Sequence, residues 1–195
     1  GKVMEQIIRD NLLSYAHAQN LISADQHGFM PGRSTCSQLL ECYYDWCSGL
    51  DDGGIFDLVL IDFQKAFDVI PHDKLVRKLS ALGVCEKTLH WVAAFLSGRT
   101  QSTLVNSSRS SSSCVSSGVM QGSILGPLLF ALYINDLPSV CFDCIVKLYA
   151  DDVKVNKRIR SPVDRTVLQS ALNAICAWAK QWGLNISIDK CNYLQ

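Results

Sequence analysis

The chain has 195 residues, 18 Lys+Arg against 18 Asp+Glu, 48% hydrophobic residues and a mean hydropathy of +0.13. That length holds one large domain or two small lobes with a sizeable core, and low charge with high apolar content excludes intrinsic disorder. The longest nearly apolar run, 124–134, has 11 residues and contains Gly126 and Pro127, whereas a membrane-spanning helix needs about 20.

Val3, Met4, Ile7, Ile8, Leu12 and Tyr15 stand at helical spacing, which predicts an amphipathic helix over 3–17 rather than a secretory leader. A loop rich in Gly and Pro follows (Gly28, Pro31, Gly32), and Ser34 is placed to cap a second helix through about residue 48. Asp51-Asp52-Gly53-Gly54 reads as a turn, and 56–61 as a strand buried on both faces. Helices are expected over 73–82 and 86–97, ending near Gly83 and Gly98. Residues 101–106 and 114–119 can pair as strands across a flexible serine-rich link, 107–113. A helix fits 124–136, and 145–155 reads as two short strands turning at Ala150-Asp151-Asp152. Pro162 suits the first turn of a long helix with Val167, Leu168, Leu172, Ile175, Trp178 and Trp182 as its apolar stripe. Residues 185–193 complete the pattern as a final strand. The expected class is α+β, a small sheet backed by helices.

Nine cysteines are too many to ignore, but an odd count argues against a complete disulfide framework. Cys141 and Cys144 have Cys-x-x-Cys spacing without a second Cys/His pair at zinc-site distance, so they read as small hydrophobes in a reducing, intracellular compartment. Charge is unevenly distributed: residues 1–50 carry 3 basic and 5 acidic side chains, and residues 151–195 carry 7 basic and 4 acidic. Lys154, Lys157, Arg158, Arg160 and Arg165 crowd just after an Asp-Asp pair, a weak phosphate-binding signal against a solvated surface.

Two acidic sites stand out. Asp62 ends the apolar strand, and Asp151 with Asp152 sits at the tip of the predicted hairpin. Aspartate is poor in strand interiors, and a charge at the end of a buried strand is costly without a partner. Either site alone reads as an ordinary turn aspartate. Together, carboxylates on neighbouring strands make a hard oxygen donor set for divalent cations, as in two-metal polymerases. The sequence does not show that the strands are neighbours.

Six ordered blocks carry a resemblance. They are Gln26-His27-Gly28-Phe29-Met30-Pro31-Gly32-Arg33-Ser34-Thr35; Asp62-Phe63-Gln64-Lys65-Ala66-Phe67-Asp68 followed by Pro71-His72; Gly118-Val119-Met120-Gln121-Gly122-Ser123-Ile124-Leu125-Gly126-Pro127; Tyr133-Ile134-Asn135-Asp136-Leu137-Pro138; Tyr149-Ala150-Asp151-Asp152; and Trp182-Gly183-Leu184 leading to Lys190. Extending across nearly the whole chain, they resemble the reverse transcriptase domain of a non-LTR (LINE-type) retrotransposon.

That resemblance implies a right-hand polymerase fingers–palm fragment over 1–195 that stops before the thumb. It implies RNA-templated addition of deoxynucleotides to a DNA primer 3′-hydroxyl, with two Mg²⁺ or Mn²⁺ ions, no membrane partner, and a nuclear location. Asp62 and Asp151 resemble the metal-binding pair and Asp152 the accompanying carboxylate. The backbone carbonyl of Phe63 resembles a further oxygen for the nucleotide's metal. Lys65 and Ala66 fall within the nucleotide-binding block, and Phe67 resembles the ring beneath the incoming sugar, where a 2′-hydroxyl would collide. Gln121 and Gly122 resemble the segment against nucleotide and template. Arg33 resembles a fingers cation for triphosphate or template, and Lys190 the late lysine that protonates departing pyrophosphate.

Three positions depart from the family pattern. Met30 stands where many relatives carry a basic or other residue, Met120 replaces a proline before the Gln-Gly pair, and Ser187 replaces an asparagine. These put a fingers contact, the firmness of a turn and the geometry leading to Lys190 in question. Alternatives are a viral RNA-copying polymerase, a phosphotransferase acting on small molecules, and a non-catalytic relic binding nucleic acid or protein through 154–165.

Overall fold

Apolar alternation along the strands and helical stripes between them build the fold, which a computed structural model describes for residues 1–51 and 53–195. The elements are α1 (Lys2–Ala18), α2 (Thr35–Asp51), β1 (Ile55–Ile61), the one-turn α3 (Ala66–Val69), α4 (His72–Ala81) and α5 (Glu86–Leu96). Four two-residue strands follow: β2 (Thr100–Gln101), β3 (Leu104–Val105), β4 (Ser108–Arg109) and β5 (Ser113–Cys114). Then come α6 (Gly126–Ile134), β6 (Ile145–Tyr149), β7 (Asp152–Ile159), α7 (Pro162–Trp182) and β8 (Asn192–Leu194). The expected α+β class holds.

Ser34 starts α2 as expected, its Oγ accepting the Ser37 N–H at 3.1 Å. Part of the predicted 51–54 turn, Asp52, lies outside the described residues. Its remainder closes through the Gly53 N–H to the Leu50 carbonyl at 2.8 Å. Ser161 and Asp164 form a capping box at the start of α7, Pro162 takes the first turn, and Gly183 ends the helix in the left-handed region.

The main sheet is antiparallel, in the order β6-β7-β1-β8. Side chains of β1 alternate between two covers. Asp57 faces α7, where Arg165 Nε donates to its Oδ2 at 3.0 Å. Phe56 faces α2, packed so closely that a Cβ on Gly49 would come within 2.2 Å of the ring. Burial is less complete than expected on this second face, where Phe56, Leu58 and Leu60 stay half-buried. Lys154 points the same way and donates to Gln38 Oε1 at 2.6 Å.

Behind the sheet, α6 is buried along nearly its whole length and forms the centre of the core. Trp178 and Trp182 pack there as the stripe predicts, with Tyr133 edge-on to Trp182 at 6.0 Å. Lys78 is enclosed with them, its Nζ 3.9 Å from the Trp182 ring centre and 4.5 Å from that of Trp178. Burial pushes this ammonium down to about 8, while its bonds to Asp136 and the Tyr133 carbonyl hold it charged below that. All nine cysteines are free, and burial pushes the Cys141 thiol up to about 12, consistent with packing rather than reactivity.

Two expectations need correction. The serine-rich link is not a plain loop, because β3 and β4 form a hairpin of their own nested inside the β2–β5 pair. Asn106 and Ser107 both have positive φ, 45° and 69°, the turn that right-twisted strands favour. The final strand is also interrupted. Residues 185–187 run beside the end of β1, with the Gln64 N–H bonded to the Asn185 carbonyl and the Ser187 N–H to the Asp62 carbonyl, each at 2.8 Å. A 3-10 turn over Ile188–Lys190 then leaves the ladder before β8 rejoins β1 at Leu58 and Leu60. The Ser187 carbonyl accepts the Lys190 and Cys191 N–H groups at 3.0 and 3.2 Å, which commits it to the turn.

Candidate active site

Strand pairing joins the two acidic sites. Ile61 pairs with Val153, so Asp62 and Asp152, one residue further on each strand, leave the sheet opposite one another. Tyr149 pairs with Asp152, which leaves Ala150 and Asp151 as the two-residue hairpin turn. Burial holds the Asp151 carboxyl above its usual range, the Asp152 and Asp62 charges raise it further, and Lys190 opposes them. Lys190 Nζ stands 3.4 Å from Asp62 Oδ1, reached from the 3-10 turn that interrupts the last strand. That Asp62 oxygen is buried and accepts no hydrogen bond. Among the described residues, no three His, Cys, Asp or Glu side chains already form an ion-holding group.

The segment after Asp62 turns sharply. Phe63 is buried against Trp178 at 6.5 Å between ring centres, and the two bonds pairing 62–64 with 185–187 do not use its carbonyl. Lys65 has a positive φ of 47° and is exposed, and Ala66 is buried at the start of α3. Phe67 is half-buried, stacked on Phe130 with ring centres 4.1 Å apart and met edge-on by Phe29 at 5.9 Å.

The third block is strapped to this turn. The Gly118 N–H bonds to the Ile70 carbonyl at 2.8 Å, the Val119 N–H to that of Phe67 at 2.7 Å, and His72 Nε2 lies 2.8 Å from the Gly118 carbonyl. Gln121 Nε2 donates to Asp68 Oδ1 at 3.0 Å. Lys65, Asp68, Arg99, Gln101 and Gln121 line a polar cleft of about 590 Å³ here. A Cβ on Gly122 would meet nothing within 4 Å, so its positive φ of 76° rather than crowding within the chain calls for glycine. At this turn the Met120 carbonyl accepts both the Ser123 N–H and Oγ–H, at 3.2 and 2.7 Å.

In the first block, Met30 is buried in the core, and exposed Arg33 donates through Nη1 to the carbonyls of Ala24 and Gln26. This loop runs beside the aspartate hairpin. The Leu148 N–H bonds to the Asp25 carbonyl at 2.9 Å and the His27 N–H to the Leu148 carbonyl at 2.8 Å. Sequence reasoning missed Asp68, which orients Gln121, and Gln26, a fully buried glutamine. A glutamine inside a Gly/Pro-rich loop was the available signal.

Comparison with known proteins gives a consistent result. Residues 1–195 match the family described as reverse transcriptase (RNA-dependent DNA polymerase). The RNA-directed DNA polymerase of mobile element jockey from Drosophila melanogaster is 31% identical over 199 residues, covering 98% of this chain and 22% of the relative. The probable RNA-directed DNA polymerase of transposon X-element from the same fly is 30% identical over 197 residues, again covering 98% and 22%. The chain thus spans about a fifth of the length of these curated relatives. Among solved structures, apo telomerase from Candida tropicalis superposes with a TM-score of 0.76 at 10% identity, covering 98% of this chain and 37% of that one. Telomerase from Candida albicans with a TWJ fragment of telomeric RNA gives 0.68 at 14% identity, covering 97% and 34%. These likenesses show a right-hand polymerase fold. With two carboxylate sites opposed at the end of one ladder and the family match running end to end, the chain belongs to the reverse transcriptase (RNA-dependent DNA polymerase) family, on the branch of non-LTR retrotransposons.

Proposed function

We propose that this chain is the fingers and palm of an RNA-directed DNA polymerase that adds deoxynucleotides to a primer 3′-hydroxyl on an RNA template. The observation that carries the reading is the opposition of Asp62 to Asp151 and Asp152 across the β1–β7 ladder, with Lys190 drawn onto Asp62.

The donor set fits a divalent cation. All the donors are hard oxygens, the Asp62 Oδ1 atom is buried without a hydrogen bond, and burial, with the neighbouring carboxylates adding to it, raises the Asp151 carboxyl. Asp62, Asp151 and Asp152 would hold the ions, with the Phe63 carbonyl as a further ligand. When bound, two Mg²⁺ or Mn²⁺ ions supply charge neutralisation and an activated 3′-hydroxyl. Lys190 would leave Asp62 as the site fills and become free to protonate the departing pyrophosphate. Phe67 would face the sugar from a ring held by Phe130 and Phe29. Gln121, oriented by Asp68 beside Gly122, would pack against nucleotide and template, and Lys65 lines the same cleft.

The reading of the chain as a relic that binds through 154–165 is weakened where that segment's cations are already paired. Lys154 is bonded to Gln38, Lys157 pairs with Asp143 at 2.7 Å, and Arg165 pairs with Asp57. The test is primer extension on an RNA template, run with this chain and with a longer polypeptide carrying the downstream region. Duplex grip comes largely from phosphate contacts with counterion release, and this chain has zero net charge. The chain alone should extend weakly, and the longer polypeptide should extend well and bind with a steeper salt dependence. Template-independent phosphoryl transfer, or no extension by either, would refute the proposal.

A further inference from the structure

The hairpin that carries Asp151 has an unusual support. Ala150 occupies the left-handed region at φ 55°, which is unfavourable for a residue with a Cβ unless its surroundings hold it. Its N–H points to the side-chain oxygen of Gln26 at 3.1 Å. The same oxygen accepts the Gly28 N–H at 2.7 Å, so two backbone donors fix which end of the carboxamide is oxygen. Gln26 is fully buried, and its backbone bridges Leu148 in parallel. Gly28 completes the contact, since a Cβ there would stand 2.2 Å from the Ala150 nitrogen. Outside this pair, His27 lies 3.1 Å from Glu41, which accepts from Lys147 of β6 at 2.9 Å.

We infer that Gln26 and Gly28 are positioning residues that hold the Ala150 turn in its left-handed form, and so aim the adjacent Asp151 toward Asp62. The inference rests on the polymerase reading of that site. The first block is then a buttress of the catalytic hairpin, built from the loop before α2 rather than from the sheet. A residue at positive φ with a Cβ persists where its surroundings over-determine it, and the Gln26 acceptor on the Ala150 N–H is such a support. Nothing in the β6–β7 ladder offers Ala150 such an acceptor, because the pairing closes at Tyr149 and Asp152.

The experiment compares wild type with Gln26→Met, which keeps length and volume and deletes the acceptor, and with the double variant Gln26→Met/Ala150→Gly. Glycine adopts positive φ without a steric penalty, so it should rescue a loss caused by the turn and not one caused by the core. Single-nucleotide extension by the longer polypeptide should show Gln26→Met lowering kcat at least tenfold with KM for the nucleotide within threefold. Mn²⁺ binding to the chain, followed by electron paramagnetic resonance, should weaken at least fivefold, and the double variant should recover at least half of each loss on a logarithmic scale. Wild-type kcat and wild-type Mn²⁺ affinity in Gln26→Met would overturn the inference, as would an equal loss with no rescue. If Gln26→Met does not fold, amide exchange in the wild-type chain decides: the Ala150 N–H should be protected to the level of the β7 ladder, and fast exchange there refutes the bond. Mn²⁺ affinity that falls and is rescued, in a protein that never extends a primer, would sustain the positioning role and overturn the polymerase reading instead.

Discussion

Replacing Phe67 by valine separates the packing that the ring makes in the structure from the sugar-facing role proposed for it. The ring is stacked on the fully buried Phe130 at 4.1 Å and 13°, and edge-on to Phe29 at 5.9 Å and 83°. Each aromatic pair contributes about 0.5–1.5 kcal/mol beyond area burial, so losing both costs about 1–3 kcal/mol. With the smaller apolar area, the total is about 2–4 kcal/mol, a fall in Tm on the order of 10 °C for a chain of this size. If the ring is also the wall against a 2′-hydroxyl, ribonucleotide use must rise, because attraction alone seldom rejects an added hydroxyl by more than about a hundredfold. The assay is kcat/KM for a matched deoxy- and ribonucleotide in a polymerase-active polypeptide carrying this chain, alongside Tm. Phe67→Val should shift the ratio toward the ribonucleotide at least tenfold while deoxynucleotide use falls less than tenfold, about 1.4 kcal/mol on the barrier. Phe130→Leu removes the stack and leaves the wall, so it should lower Tm comparably with the ratio held within threefold. An unchanged ratio in Phe67→Val with a collapsed Tm would assign the ring to packing alone.

Asp62→Asn and Asp151→Asn should each remove extension while leaving the fold intact, and Asp62→Asn should lower the Asp151 carboxyl only slightly, since burial is the larger cause of its rise, readable by NMR titration. Extension at the wild-type rate by either variant refutes the carboxylate assignment. Lys78 is lowered from 10.5 to about 8 on folding, so between those pH values the unfolded chain binds the proton that the folded one has released, and stability rises with pH. Relative to Lys78→Met, the wild type should therefore gain up to about 3 kcal/mol from pH 8 to 10.5 by denaturant unfolding, and a flat difference would sink the argument. Asn156 is fully buried in β7 with neither end of its carboxamide hydrogen-bonded, so Asn156→Leu should raise stability by about 1–3 kcal/mol, and a lower Tm would show a partner for that group.

Much of this was legible from residues alone. Helical spacing located α1 and α7, Ser34 and Pro162 located helix starts, and the apolar run ending in Asp62 located β1. These are local signals, set by capping chemistry and side-chain periodicity within a few residues. The Asn106–Ser107 turn was equally local, but its serine-rich surroundings read as low complexity and hid it. Among the site residues, Asp62, Asp151 and Asp152 could be named individually, because a carboxylate beside an apolar run is conspicuous in one dimension. That they face one another was decided by the β1–β7 register, a pairing of strands about ninety residues apart that no local pattern encodes. The same holds for Lys190, which reaches Asp62 only because Ser187 spends its carbonyl on a turn and breaks the last strand. Arg33 and Gln26 show the limit most clearly. The carbonyls that Arg33 Nη1 meets are set by the fold of its loop, and a loop glutamine reads as solvent-exposed until burial forces its oxygen onto the Ala150 N–H. Sequence by itself determined the elements and the chemistry each carries; tertiary structure decided which of those groups meet, because long-range pairing and burial select among partners that local spacing leaves equivalent.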